Sequence, residues 1–233
     1  MRLLLIGAGR LGSLILQAAP AAGAEVTTVL RAADNPEASG ITAAVCARAD
    51  VAIDVSTAEA VLPNVTALAA HGVPVVIGVT GWQAQRDAVR AVAARAGLGV
   101  VAAANFSLGA ALLAVLAERA ASALAARSDY GAFVYEQHHA AKRDAPSGTG
   151  LMLRDAMRAA GYMREIDVAA TRAGAIPGTH VVGFDGPAET LTLTHTVRDR
   201  AVFAHGALIA ARWVMGRHGW FSMRDVIGAG IGP

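Results

Sequence analysis

Apolar positions first come in short unbroken runs, then at helical spacing, and later in strict alternation. Arg2 to Ile6 is an apolar run closed by glycines, after which Leu14, Ile15, Ala18 and Ala19 recur at helical spacing. This predicts strand, glycine turn, helix. Gly23 closes that helix, Glu25 to Leu30 forms a second strand, and a polar, proline-containing loop follows around Asp34 to Gly40. The pattern repeats. Asp50 to Asp54 reads as a strand, Ala58 to His71 as a helix ended by Gly72, and Val73 to Gly78 as a strand. Gln83 to Ala96 is the next helix and Gly99 to Ala103 the next strand. Strands alternating with helices of this length predict a parallel sheet covered on both faces.

After Asn105 the rhythm changes. Leu108 to Arg127 predicts one long helix, Tyr130 to Gln137 a strand, and Gly148 to Ala160 a helix. Strand-like segments follow at Val168 to Arg172, His180 to Phe184 and Glu189 to Val197. The last alternates strictly, with Thr190, Thr192, Thr194 and Thr196 on one face and Leu191, Leu193, His195 and Val197 on the other. Such alternation suits a mixed or antiparallel sheet with one packed face. The second half is therefore expected to be an α+β domain. Ala201 to Met215 returns to helix, and the tail reads Gly-Ala-Gly-Ile-Gly-Pro.

Composition narrows the class. Of 233 residues, 55% are apolar and 5% aromatic, which implies an aliphatic, layered core. The uncharged stretch Ala96 to Ala117 is long enough for a membrane span, but Asn105, Ser107, Gly97, Gly99 and Gly109 divide it into strand, loop and helix. Met1 to Gly9 lacks the long apolar region and cleavage site of a secretion signal. Cys46 is the single cysteine, which excludes an internal disulfide and a cysteine-rich metal site and fits a cytoplasmic location. A formal charge of +2 is too small to argue for nucleic acid. The expected partner is a small molecule rather than a nucleic acid or a membrane.

Gly7-Ala8-Gly9-Arg10-Leu11-Gly12 stands between the first strand and first helix. In a βαβ context this spacing puts backbone N–H groups and a helix dipole where a pyrophosphate binds. The expected fold is thus a Rossmann-type parallel sheet followed by the α+β domain. NAD-preferring sites usually carry an acid at the end of the second strand. Here that strand ends Val29-Leu30-Arg31, and an arginine there can pair with a 2′-phosphate, so NADPH is expected to be preferred, with NADH possible. A solvated surface role for Arg31, and Asp34 turning in to serve NADH, are the alternatives. Gly78-Val79-Thr80 and Ala103-Ala104-Asn105-Phe106 follow later strands, at the sheet edge where ligands bind. Both are cofactor candidates, and both read equally as ordinary turns.

The densest polar chemistry runs from Glu136 to Thr149, Glu-Gln-His-His-Ala-Ala-Lys-Arg-Asp-Ala-Pro-Ser-Gly-Thr. Ser147 suits an N-cap, so Gly148 and Thr149 would open a helix whose start attracts anions, and Lys142 adds a full charge nearby. That suits a carboxylate-bearing substrate. Adjacent histidines rarely reach one ion together, and no Cys or Glu at ligand spacing completes a set, so no metal is expected. The plainer alternative makes His138 and His139 structural and Lys142 a surface charge.

Glu-x-His-His-x-x-Lys-x-Asp-Ala-Pro-Ser-Gly-Thr resembles the signature of the 4-hydroxy-tetrahydrodipicolinate reductases, also called dihydrodipicolinate reductases. The likeness extends to the glycine motif, Ile53-Asp54, Val76 to Gly81, Ala104 to Gly109, Arg172-x-Gly174 with Gly178-x-His180, and His195 to Gly206. It implies a reductase of the diaminopimelate route to lysine, a homotetramer joined through the second domain's sheet. His138 matches the proposed proton donor or acceptor, and Lys142 a residue given to proton donation and carboxylate binding. His139, Ser147, Gly148 and Thr149 fall to the substrate; Arg200, in Arg-Asp-Arg-Ala, reads either as a further charge toward it or as a surface residue. The glycine motif, Gly78 to Thr80 and Ala103 to Phe106 fall to the cofactor. The resemblance also implies a dinucleotide domain of residues 1–106 rejoined by 206–233, and a substrate and oligomerisation domain of 107–205. Departures exist: the glycine motif is one residue shorter than in many members, Leu30 replaces an acid common in several, Val79 a common Thr and Gly150 a common Ala. The loops around residues 31–50 are also short. An aspartate-type amino-acid dehydrogenase and a non-catalytic dinucleotide sensor are the other readings; an intact His-His-x-x-Lys segment speaks against both.

Overall fold

The structure is a computed structural model and describes residues 1–228. Residues 229–233, nearly all of the glycine-rich tail and the end of the expected 206–233 segment, lie outside the described residues. In chain order the strands are β1 (Arg2–Ile6), β2 (Glu25–Leu30), β3 (Val51–Asp54), β4 (Val75–Ile77), β5 (Gly99–Ala102), β6 (Gly131–His138), β7 (Ile166–Arg172), β8 (Thr179–Asp185), β9 (Thr190–Thr196) and β10 (Gly219–Phe221). The helices are α1 (Arg10–Ala18), α2 (Ala43–Cys46), α3 (Val61–Ala70), α4 (Arg86–Arg95), α5 (Leu108–Leu124), α6 (Gly148–Ala159), α7 (Ala201–Val214) and α8 (Met223–Gly228). Two compact units result: Met1–Ser107 with the chain from Ala201 onward, and Leu108–Arg200.

The first unit holds a six-stranded parallel sheet in the order β10-β5-β4-β3-β1-β2. Its central strands are buried on both faces, which is why they read as unbroken apolar runs: Leu3, Leu4, Leu5, Val51, Ala52, Ile53, Val75 and Val76 are all 0% exposed. Burying each leucine is worth roughly 1.5–3 kcal/mol. Leu4, Ile6, Ala52 and Val75 pack with Val61, Val65, Leu68 and Val89 of α3 and α4. α7 lies against α1 and against β3, β4 and β5. The segments predicted as helices over 58–71 and 83–96 each open with a 3-10 turn, Ala58–Ala60 and Gln83–Gln85. Neither α3 nor α4 has a side-chain cap, and a tighter first turn is one way to satisfy the orphan amides of a helix start. β10 was not foreseen: at three residues it is too short to show a period, and it adds a parallel edge beside β5.

The second unit holds a mixed sheet in the order β7-β6-β8-β9. β6 and β7 run parallel with α6 in the connection between them, and β8 and β9 continue antiparallel. On one face Ala132, Val134, Val182 and Phe184 pack with Leu113 and Ala117 of α5 and Leu153 and Met157 of α6. Along the same face β6 turns polar, because Glu136 and His138 continue the buried phase set by Ala132 and Val134. His180 stands across from Glu136 on β8, and His195 across from His180 on β9. The alternate residues of β6, Phe133, Tyr135 and Gln137, are half-buried on the opposite face.

Candidate active site

In the first unit a cavity of about 430 Å³ is lined by Gly7, Ala8, Gly9, Arg31, Asn35 and Ser56, among others. β1 lies between β2 and β3, so the cavity stands at the carboxyl ends of strands where the strand order reverses, the usual ligand position in such sheets. Gly7 has φ +97°, and a Cβ there would stand 2.6 Å from the Val55 carbonyl oxygen. Its N–H donates to the Leu30 carbonyl at 2.8 Å. A Cβ on Gly12 would run into the Gly7 carbonyl oxygen. A Cβ on Gly9, by contrast, would meet no protein atom within 4 Å. Packing therefore explains Gly7 and Gly12 but not Gly9.

Arg31 is exposed at the end of β2, and its backbone N–H donates to Asp34 Oδ2 at 3.1 Å. Asp34 is thus engaged in its own turn. Beneath the cavity runs a buried polar chain that the sequence did not announce. Asp54 accepts from Ser56 N–H at 3.0 Å and from Asn64 Nδ2 at 2.9 Å. Asn64 Oδ1 accepts from Asn35 Nδ2 at 2.8 Å, and Asn35 Oδ1 from Gly40 N–H at 3.0 Å. Burial raises the Asp54 carboxyl above its usual range, against the pull of the Ser56 and Asn64 hydrogen bonds. The available signal was Asp54-x-Ser56 at the end of the strand beside β1.

The other cofactor candidates do not line this cavity. Arg10 is exposed and Leu11 half-buried. Gly78 packs against Val55, a lining residue, and a Cβ on it would stand 2.6 Å from the Phe106 ring. The Phe106 side chain is 2% exposed and belongs to the core, so its backbone is what it can offer a ligand. Val79 is buried and its carbonyl accepts from Trp82 Nε1 at 2.9 Å, while Thr80 is exposed. Ala103 is half-buried, Ala104 exposed, and Asn105 Oδ1 accepts from Ser107 N–H at 2.8 Å.

In the second unit the polar end of β6 meets the start of α6. Glu136 is fully buried. Its Oε1 accepts from Arg172 Nη2 at 2.6 Å and from Ser147 N–H at 2.8 Å, and its Oε2 accepts from the Ser147 hydroxyl. Ser147 caps α6 as predicted, its Oγ accepting from Gly150 N–H at 3.1 Å. His138 Nδ1 lies 3.8 Å from Glu136 Oε1, and His180 Nε2 lies 3.5 Å from Oε2. The two imidazoles meet edge-on with centroids 5.0 Å apart. Burial works to raise the Glu136 carboxyl, but the Ser147 and Arg172 hydrogen bonds outweigh it and hold the group below its usual range. Burial lowers His138, opposed by Glu136 and reinforced by Lys142 and Arg172. Burial and the nearby His138 take His180 down to about 4.

Lys142 Nζ donates to both oxygens of Asp144, at 2.7 and 2.9 Å. The Asp144 carboxyl is lowered by that bond above all, and the Gly148 amide adds to it. The chain's own carboxylate thus stands at the lysine and helix start expected to receive an anion. His139 is half-buried, its carbonyl taking the Lys142 N–H at 3.0 Å. Gly148 is exposed and Thr149 half-buried in the first turn of α6. Arg200, exposed at the end of the unit, is not brought into this cluster. Arg172 and His180 are, although neither was singled out for chemistry. Donor atoms of Glu136, His138 and His180 lie within 4.8 Å of one another. Arg172 already neutralises that carboxylate, which opposes a cation there.

Comparison with known proteins bears on the whole chain. A family model described as dihydrodipicolinate reductase, N-terminus, matches residues 1–106, and one described as dihydrodipicolinate reductase, C-terminus, matches residues 109–227. A 4-hydroxy-tetrahydrodipicolinate reductase of Rhodopseudomonas palustris is 37% identical, over 99% of this chain and 97% of its own. One of Stenotrophomonas maltophilia is 39% identical, over 97% of this chain and 98% of its own. A solved structure, the dipicolinate-bound dihydrodipicolinate reductase of a Paenisporosarcina species, superposes with a TM-score of 0.83 at 21% identity, covering 95% of this chain and 97% of that one. At that identity the superposition speaks for the fold.

Proposed function

The chain belongs to the dihydrodipicolinate reductase family, and from that premise we propose that it reduces 4-hydroxy-tetrahydrodipicolinate to tetrahydrodipicolinate with a nicotinamide dinucleotide, in the diaminopimelate route to lysine. One observation carries the reading to the chemistry. A capped helix start, a lysine and a buried imidazole converge at the end of β6, in the segment that carries the family signature. The substrate is a cyclic dicarboxylate that loses water to give a conjugated imine.

The residues of the glycine turn fit a dinucleotide: Gly9 presents free space at a helix start, and Gly7 and Gly12 hold the turn around it. When bound, the dinucleotide supplies a hydride to a ring carbon of the imine. His138 moves the balancing proton to the ring atom where negative charge builds, a task for a positioned imidazole. Lys142 and the start of α6 at Ser147, Gly148 and Thr149 hold the two carboxylates, displacing Asp144 from the lysine. His139 adds a contact to the same substrate.

NADPH is the preferred cofactor and NADH a poorer one. Arg31 ends β2 with no acid at Leu30, and the carboxylate of Asp34 is engaged by the Arg31 amide. The half-buried face of the second sheet, with Phe133 and Tyr135, joins four copies into a homotetramer. No helix among the described residues is long and apolar enough to cross a membrane, and the enzyme works in the cytoplasm.

The test is a coupled assay of the purified chain with pyruvate, aspartate semialdehyde, the upstream synthase and NADPH. Cofactor oxidation that requires the synthase is expected. An active synthase without cofactor oxidation overturns the proposal.

A further inference from the structure

Glu136 heads the signature segment, yet the reaction as derived gives it no part. Its carboxylate is bonded to Arg172, to the Ser147 amide and to the Ser147 hydroxyl. It also faces two imidazoles, His138 on its own strand and His180 across the antiparallel pair. Arg172 Nη2 donates in turn to the Asp144 carbonyl at 2.6 Å, fastening the loop that carries Lys142. One buried anion is therefore fixed to β7, to the start of α6 and to that loop. Among the described residues, His138 Nδ1 is buried with no hydrogen-bond partner, and Glu136 Oε1 is the carboxylate oxygen that faces it.

Resting on the reductase reading, we propose that Glu136 is a positioning residue that couples the two tasks of the substrate site. Through its charge it aligns the His138 imidazole with Nδ1–H toward Oε1. Through Ser147 and Arg172 it fixes the helix start and loop that receive the carboxylates. The 3.8 Å separation suits such a role, since catalytic hydrogen bonds are often long before substrate binds and tighten in the complex. The charged and titratable groups around His138 are Glu136 on β6, His180 on β8, Arg172 on β7, and Lys142 and Asp144 in the loop. Of the two carboxylates, Glu136 is buried and Asp144 exposed. With Nδ1 holding a proton toward the carboxylate, Nε2 is the nitrogen left for the substrate.

Three measurements test this. Nitrogen-15 NMR of the unaltered protein is expected to find neutral His138 as the Nδ1–H tautomer; an Nε2–H tautomer with bare Nδ1 overturns the alignment. Glu136→Gln is expected to lower the pH at which His138 titrates, to move the basic limb of kcat to lower pH, and to weaken dipicolinate binding about tenfold, the loss of one charge-assisted hydrogen bond. His180→Asn, which keeps the carboxylate, is expected to leave the His138 midpoint lying above that of Glu136→Gln. A Glu136→Gln protein with an unmoved His138 midpoint and unchanged dipicolinate affinity overturns the proposal, as does an equal shift in both variants. The tautomer and titration need no substrate, so they stand or fall apart from the coupled assay.

Discussion

In the first unit the turn after β1 offers backbone amides, a helix dipole and open space, with Arg31 as the full charge at its rim. In the second, the end of β6 offers a buried carboxylate, a guanidinium and two imidazoles, with Lys142 above them. Both are suited to anions, but one is made of main chain and the other of side chains. A main-chain site depends on what is missing, the Cβ atoms that would crowd it. A side-chain site depends on charges that must be matched in a place poor in water. The first should therefore be sensitive to added volume and the second to protonation.

The largest effect expected is at the imidazole. His138→Gln should lower kcat by about 10²–10⁴-fold, the usual worth of a general acid, with a much smaller change in KM. Lys142→Ala should damage both constants. Near-normal turnover in both variants would remove the second unit from the chemistry.

Protonation comes next. His180 is held at about 4 in the fold against an ordinary value near 6.5, so the unfolded chain binds the extra proton. That is a depressed histidine: stability is greatest above the unfolded value and falls as pH drops from about 6.5 to about 4. The loss is about 3 kcal/mol at 1.36 per pH unit, with His138 and His195 adding in the same direction. Denaturant titrations at neutral and mildly acidic pH measure it, and His180→Asn should flatten the dependence. An unchanged slope in that variant would mean the proton goes elsewhere.

Volume in the glycine turn separates two roles. Gly12→Ala drives a Cβ against the Gly7 carbonyl and should cost about 1–3 kcal/mol of stability as well as cofactor affinity. Gly9→Ala meets no protein atom and should leave Tm near its starting value while raising the KM for NADPH. If Gly9→Ala is instead as unstable as Gly12→Ala, packing governs both positions. The smallest effect expected is at the rim. Arg31→Ala should raise the KM for NADPH about tenfold, one charge-assisted contact, and leave that for NADH nearly unchanged. Equal losses for both cofactors would assign Arg31 to the pyrophosphate instead.

The same contrast explains what could be read before the fold was known. Gly7, Gly9 and Gly12 announce themselves because a strand, a turn and a helix follow each other without a gap. His138, Lys142 and Ser147 lie in one continuous segment and could be named together. Arg172 and His180 could not, because strand pairing, not spacing, brings them to Glu136. Asn35 and Asn64 were hidden for the same reason, being 29 positions apart along the chain. Periodicity located the alternating β9 but not the three-residue β10, whose place comes from its neighbour β5.

That late strand has a consequence for synthesis. Leu108–Arg200 is one uninterrupted stretch, so it can collapse as soon as it leaves the ribosome. The dinucleotide unit must wait, because α7 covers β3, β4 and β5, and β10 borders β5. The half of the molecule translated first is completed last. Until then a growing chain presents the apolar surface of β3, β4 and β5 that α7 will cover to any chaperone it meets.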